Sequence, residues 1–425
     1  MRSRKTNIFF GIDWVLILFY FILVFFGWIN IYSATITEEQ FNIINFSTEY
    51  GKQLIWIGLS LPIILLILLF DAKFYEKYAS LIYLICLISL AGLFVFGKNI
   101  NGATSWYNFG SFGLQPSEFA KAATALAIAK LVSDKQFNLK KLNTQLQAFL
   151  ILFFPAILIT LQPDPGSALV YTAFIFVLYR EGLPFYYITI GFITLILFVI
   201  TLYFGFTYTL IGSLLLFIII LLYFIFYRKK ALKKGWIKIL GIYFVAAFFI
   251  FSVDLVFNHV FEQRHRDRFN ILLGKTTDIT NIGYNTNQSV TTIASGGLTG
   301  RGFLEGERTQ GNFVPEQQTD YIFTIVGEEW GFLGTTTVIL IFTLFLLRII
   351  QIAERQKSKF SRVYGYSIAA IFFTHFTINI GMVLGLLPTI GIPLPFFSYG
   401  GSALWGFTIL LFLLIRLDAN RSYEW

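Results

Sequence analysis

The chain has 425 residues, 56% of them hydrophobic and only 13% charged, against about 25% charged in a soluble domain. With a mean hydropathy of +0.71, this excludes a soluble globular protein and sets the class as a polytopic membrane protein, in which lipid replaces much of the core. The net charge of +9 does not point to nucleic acid, because the basic residues sit in short clusters between apolar segments, and the single Cys86 excludes a disulfide framework or a thiolate metal site.

A spanning helix needs about 20 apolar residues. Twelve segments qualify or nearly so: about 12–34, 52–70, 78–97, 116–133, 146–162, 166–181, 184–204, 208–227, 236–257, 319–348, 362–387 and 396–416. The start MRSRKTNIFF is basic, but the apolar run after it is long and ends in no small-residue cleavage site. It reads as a retained first helix, not a signal peptide. The sixth segment is short, and the tenth is long enough to tilt or to include a non-membrane turn. The expected fold is an all-α polytopic transmembrane helix bundle of about 12 spans, one integral-membrane domain over 1–425.

Basic residues set the orientation. With the N-terminus in the cytoplasm, inside loops hold Arg2, Arg4, Lys5, Lys73, Lys77, Lys135, Lys140, Lys141, Arg180, the run Arg228–Lys238, Arg348, Arg355, Lys357, Lys359, Arg362, Arg416 and Arg421. Short outside loops hold only Lys52 and Lys98. Both termini are therefore expected in the cytoplasm. Residues 258–318 form a long outside loop, which translocates regardless of its charge. Its apolar content and helix-like stretches predict that it folds over the bundle.

Five constellations carry candidate chemistry, in chain order. The stretch NGATSWYNFGSFGLQPSEFAK (101–121) ends in Pro116, a helix-start residue. Glu118 and Lys121 follow, three apart and so on one helical face. An ion pair in an apolar helix faces the bundle interior or a wet cavity; Trp106 serves either a ligand or an aromatic belt. In Gln162-Pro-Asp-Pro, two prolines hold Asp164 rigidly, at a site or in a tight turn. Arg266, Arg268 and Arg301, with the glycine run at 296–302, suit phosphate groups, unless they are ordinary solvated loop charge. Glu316, Thr319, Asp320, Glu328 and Glu329 cluster around the start of the tenth segment. There Thr319 or Asp320 is either a helix N-cap or, for Asp320, a general base or an oxygen ligand of a divalent cation. Glu328 and Glu329 fall inside the helix and require burial in protein or a cavity. Last, LPTIGIPLPFFSYGGS (387–402), with Ser398, breaks an apolar run at membrane depth, which is tolerated only against protein or a cavity. All five fall on the predicted outer side.

These residues resemble the SEDS family (shape, elongation, division and sporulation proteins of the bacterial envelope). The stretches that carry the resemblance are NGATSWYNFGSFGLQPSEFAK, QPDPGSALV, HRDRFNILLG, the run from Gln288 to Gly334, and GLLPTIGIPLPFFSYGGS, in family order over most of the chain. GFLEGERTQGNFVPEQQTDYIF is closer to the elongation branch than to the division branch. The resemblance implies a peptidoglycan glycosyltransferase of the bacterial cytoplasmic membrane. It would polymerise lipid II on the outer face, with a class B penicillin-binding protein, a transpeptidase, as partner and a divalent cation, Mg2+ or Mn2+, as cofactor. It assigns catalysis to Asp320 and a cavity pair to Glu118 and Lys121. Where the family prefers His-Thr-Asp, this chain has Gln318-Thr319-Asp320, which leaves the carboxylate as the base. The family's ten helices imply an insertion of two within about 184–236, joined by a basic turn at Arg228–Lys234. In the expected reaction, Asp320 deprotonates the acceptor's 4-hydroxyl, and Arg266, Arg268, Arg301 and Lys121 meet the leaving pyrophosphate. The rival reading is a lipid II transporter, whose polar residues would line a path on both sides of the midplane.

Overall fold

The structure, a computed structural model, describes residues 11–36, 45–100, 102–110, 112–227, 229–261, 263–275 and 283–421. Arg2, Arg4, Lys5, Arg228 and the last four residues lie outside them. The described chain forms two compact units, 185–284 and the remainder.

The larger unit begins with three long apolar helices, α1 (Trp14–Thr35), α2 (Glu49–Leu69) and α3 (Ala72–Phe96). Asp13 and Thr48 cap the first two by accepting the Leu16 and Gly51 N–H groups. A feature absent from the sequence reading follows: a small antiparallel sheet of β1 (Lys98–Ile100), β2 (Ala103–Phe109) and β3 (Phe112–Leu114). It turns the chain back into α4 (Pro116–Ser133), which starts at the expected proline.

Helix α4 is nearly all buried. Its alanines let α3, α5 (Leu142–Thr160), α15 (Lys359–Val383) and α16 (Gly401–Ala419) pack around it. Helix α16 comes close at Gly406, where a methyl group would stand 3.0 Å from the Glu118 Cβ. The sixth expected span is broken into α6 (Pro165–Leu169), a 3-10 turn and α7 (Phe174–Arg180). Two short helices, α12 (Tyr284–Ser295) and α13 (Glu307–Gln310), precede α14 (Ile322–Glu354). Ten described helices are long and apolar enough to cross a membrane. The fourth and sixth expected spans are not among them, the fourth because it carries charge and the sixth because it is broken.

The smaller unit contains α8 (Tyr186–Phe204), α9 (Phe206–Tyr227), α10 (Lys229–Leu255) and α11 (Gln263–Leu272). Gly205, at φ +82°, makes the one-residue reversal between α8 and α9. The expected basic turn at 228–234 is corrected: α10 is already helical from Lys229. The outward residues of α8 to α10 are apolar and exposed, such as Phe192, Ile219 and Phe248, the composition of a surface meant for lipid.

Candidate active site

The larger unit has two unlike ends. At one, Arg348, Arg355, Arg362 and Arg416 pair with Asp13, Asp418, Glu181 and Asp71. At the other, loops meet through hydrogen bonds of backbone, amide and carboxylate groups, and the expected site residues of this unit gather there.

Asp320 stands in the irregular turn before α14. The helix cap is Tyr321, without a side-chain capping bond, so neither Thr319 nor Asp320 is the N-cap. Instead the turn is stitched to the broken segment 387–400. The Tyr399 N–H donates to the Gln318 carbonyl (2.9 Å), and the Tyr321 and Thr389 hydroxyls are 3.0 Å apart. The Asn379 amide of α15 donates to the Asp320 carbonyl (2.8 Å) and to the Ile392 carbonyl (2.7 Å). From the other side, Gln317 is buried and donates to the Ala34 and Thr309 carbonyls and to the Asn312 side chain. The Asp320 carboxylate lies against Gly391, where an added methyl would come 3.2 Å from Oδ2. Asp320 is half-buried, so it is held firmly yet reachable. Burial, and then the Glu49 carboxylate, push the Tyr399 phenol up, which keeps it protonated.

The second group is the expected ion pair. Lys121 Nζ is 2.8 Å from both Glu118 oxygens, and both side chains are fully buried. The sequence reading missed its third member, His375 of α15, whose Nε2 is 2.9 Å from Lys121 Nζ. Its Nδ1 is 3.1 Å from the Pro393 carbonyl. An ionisable residue in an apolar helix calls for a partner, but nothing near His375 in the sequence says which.

The remaining expected residues have structural work. Asp164 caps α6 through Ser167 and accepts from the Gln115 amide at 3.1 Å, so the tight-turn reading describes its contacts. Gln162 is buried, donates to the Leu90 carbonyl, and receives the Thr104 N–H on its own carbonyl. Trp106 is half-buried in β2, its ring against Gly113. Ser398 accepts the Leu394 N–H. Glu316 is exposed and accepts from Thr319.

The glycine run does not form an anion nest. The Arg301 and Gly302 N–H groups donate to the Glu328 and Glu329 carbonyls, at 2.9 and 3.0 Å. Those carbonyls are freed because α14 breaks at Gly331, φ +65°. The Arg301 side chain donates to Ser295 and lies 4.0 Å from Glu307, still about half exposed. Glu328 and Glu329 are buried as expected. Glu328 accepts the N–H groups of Arg308 and Thr309 at the start of α13, and Glu329 accepts from Ser33. Arg266 and Arg268 belong to the smaller unit, where Arg266 donates to the Asn258 carbonyl.

Among the described residues no group of three His, Cys, Asp or Glu side chains is placed to cage a metal. Asp320 alone offers one carboxylate. That suits Mg2+, which commonly binds through one or two carboxylates while substrate phosphates and water complete the shell.

The family model described as a cell cycle protein, of the FtsW, RodA and SpoVE group, matches residues 13–211 and 192–423. The chain is 31% identical to the peptidoglycan glycosyltransferase RodA of Treponema pallidum, over 99% of this chain and 100% of that one. It is 32% identical to the peptidoglycan glycosyltransferase MrdB of Escherichia coli K12, over 82% of this chain and 80% of that one. A chain of a solved peptidoglycan synthase complex shares the fold, with a TM-score of 0.69 at 24% identity and coverage of 97% and 99%. Rod shape determining protein RodA of Thermus thermophilus does so with 0.62 at 22%, and coverage of 96% and 97%. A membrane helix bundle carrying these motifs at one end, matched by the family from residue 13 to residue 423, belongs to the FtsW/RodA/SpoVE family, the SEDS proteins.

Proposed function

We propose that the chain is a peptidoglycan glycosyltransferase of the elongation branch, polymerising lipid II at the outer face of the bacterial cytoplasmic membrane. The observation that carries this is the Asp320 carboxylate. Asp320 is half-buried, its main-chain carbonyl held by Asn379 and its carboxylate against Gly391, at the end of the bundle opposite the arginine pairs. Arginine at one end favours a cytoplasmic location for that end, and so an outer location for Asp320.

In the reaction, Asp320 accepts the proton of the acceptor's 4-hydroxyl. The oxygen forms a bond to the donor's anomeric carbon from the face opposite the pyrophosphate. The carbon–oxygen bond to undecaprenyl pyrophosphate breaks, its electron pair leaves with the pyrophosphate, and the anomeric centre inverts. Arg301, with its guanidinium half exposed, is the donor group of this unit suited to the departing charge. Asp320 would also hold a divalent cation, Mg2+ or Mn2+, whose charge would offset that of the pyrophosphate. The working partner in this reading is a class B penicillin-binding protein. In this reading, α8 and α9 fall in the two-helix addition, at about 184–236, to the family's ten.

The test is polymerisation of purified lipid II by the protein with its transpeptidase and a divalent cation. Asp320→Asn is expected to lose at least about 100-fold of the rate, and chelation to reduce the wild type. Equal polymer from Asp320→Asn would overturn the base. No polymer from the wild type, with lipid II transport intact, would assign transport instead.

A further inference from the structure

We propose that His375 and Asn379 are a positioning pair that sets where the Asp320 carboxylate stands, with Lys121 fixing the tautomer that His375 needs for the task. The inference rests on the catalytic reading of Asp320.

The two residues are four apart on α15 and share one face. They hold adjacent residues of the broken segment, Asn379 the carbonyl of Ile392 and His375 that of Pro393. Asn379 spends both amide hydrogens, one on the Ile392 carbonyl and one on the Asp320 carbonyl. Its Oδ1 is left buried without a donor. An amide turned the other way would point oxygen at two carbonyls, so the two acceptors dictate its orientation. His375 holds the next carbonyl, that of Pro393.

The tautomer follows from donor chemistry. A carbonyl only accepts, so Nδ1 carries the hydrogen. An ammonium only donates, so the Nε2 facing Lys121 carries the lone pair. Lys121 is fully buried, paired to Glu118 on its own helix and lying 5.1 Å from the centre of the Phe407 ring. Its charge thus forces the hydrogen onto Nδ1, the atom that holds Pro393.

Residue 391, just before these carbonyls, is the glycine against which Asp320 Oδ2 rests. A shift of 391–393 along α15 therefore moves the wall against the Asp320 carboxylate, while Asn379 ties the Asp320 carbonyl to the same segment. Partners of this kind, one step removed from the reacting group, typically change activity by about 10–100-fold.

The test uses lipid II polymerisation by the full chain with its transpeptidase, with kcat and KM measured separately. Asparagine places an N–H where His Nδ1 stood; glutamine places its amide where Nε2 stood. Asn379→Asp and His375→Gln are expected to lose about 10–100-fold in kcat with KM within about threefold. His375→Asn, which keeps the donor to Pro393 and needs no tautomer, is expected to stay within about threefold of the wild type. Wild-type rates in Asn379→Asp and His375→Gln would overturn the proposal. So would a loss confined to KM, or His375→Asn as slow as His375→Gln. Thermal unfolding is followed for each variant, and if Asn379→Asp does not fold, the two His375 variants decide. Asp320→Asn is run in parallel. If it is active, the catalytic reading fails and this inference with it. If it is inactive while the α15 variants are at full rate, only the positioning role fails.

Discussion

At the scale of single residues, the site depends on one glycine as much as on one carboxylate. Gly391 has φ +79°, a conformation that side-chain-bearing residues avoid, and its missing Cβ leaves room for Asp320 Oδ2. Gly391→Ala is expected to cost about 1–2 kcal/mol in stability from backbone strain alone. It is also expected to slow lipid II polymerisation by about tenfold or more by pushing the carboxylate aside. Thermal unfolding and polymerisation rate, measured together, check both; an unchanged rate would show that the contact does not position Asp320. The sequence announced Asp320 through a carboxylate at a membrane edge, and it announced Gly391 only as one of several helix breakers. What it did not announce was His375. A lone histidine in an apolar run names no partner, and the partner sits 254 positions away on another helix.

At the scale of elements, legibility depended on whether the partner was close in sequence. Helix α4 and its ion pair were readable because Pro116, Glu118 and Lys121 lie within a turn and a half of one helix. The glycine run at 296–302 suggested an anion cradle, because glycines with free N–H groups make one. Its donors are instead spent on backbone carbonyls, two of them those of Glu328 and Glu329, freed where α14 breaks at Gly331. At Gly300 a methyl would come 2.1 Å from the Glu329 carbonyl oxygen. The glycines thus serve the approach of one backbone to another. Nothing local in the sequence distinguishes a backbone carbonyl from a phosphate as the acceptor, since both ask for small residues and N–H donors. The sheet of β1 to β3 escaped for a related reason. Its strands are short, and their register is set by pairing, such as Tyr107 with Leu114, more than by any alternating pattern.

At the scale of the whole larger unit, the two ends divide the labour, and the orientation that follows is open to a direct test. Cys86 is the only cysteine, so new ones can be read against a Cys86→Ser background. Glu307 is exposed at the Asp320 end, and Gln136 is exposed at the arginine end. A membrane-impermeant maleimide applied to right-side-out vesicles is expected to label Glu307→Cys and spare Gln136→Cys; the reverse pattern would place Asp320 in the cytoplasm. The arginine end should then govern stability without touching the chemistry. Asp13 accepts from Arg348 at 2.7 Å and from Arg355 at 2.9 Å, and Arg355 also holds Asp418, so α1, α14 and α16 are tied at one point. Burial disfavours the Asp13 charge, but Arg348, the Leu16 N–H and Arg355 outweigh it and hold its carboxyl below the usual range. A depressed carboxyl contributes stability that is fully present above its unfolded value, about 4, and is lost as pH falls through the lower native value. Asp13→Asn is therefore expected to cost about 1–3 kcal/mol at neutral pH. The gap to the wild type should narrow as pH drops below about 4, where the unfolded carboxyl takes up its proton, and close once pH has fallen through the lower native value. Unfolding midpoints in detergent across pH check the window. Lipid II polymerisation by Asp13→Asn, assayed well below its unfolding midpoint, should match the wild type. A slowed rate there would mean that the two ends are coupled, and that the arginine end takes part in the reaction.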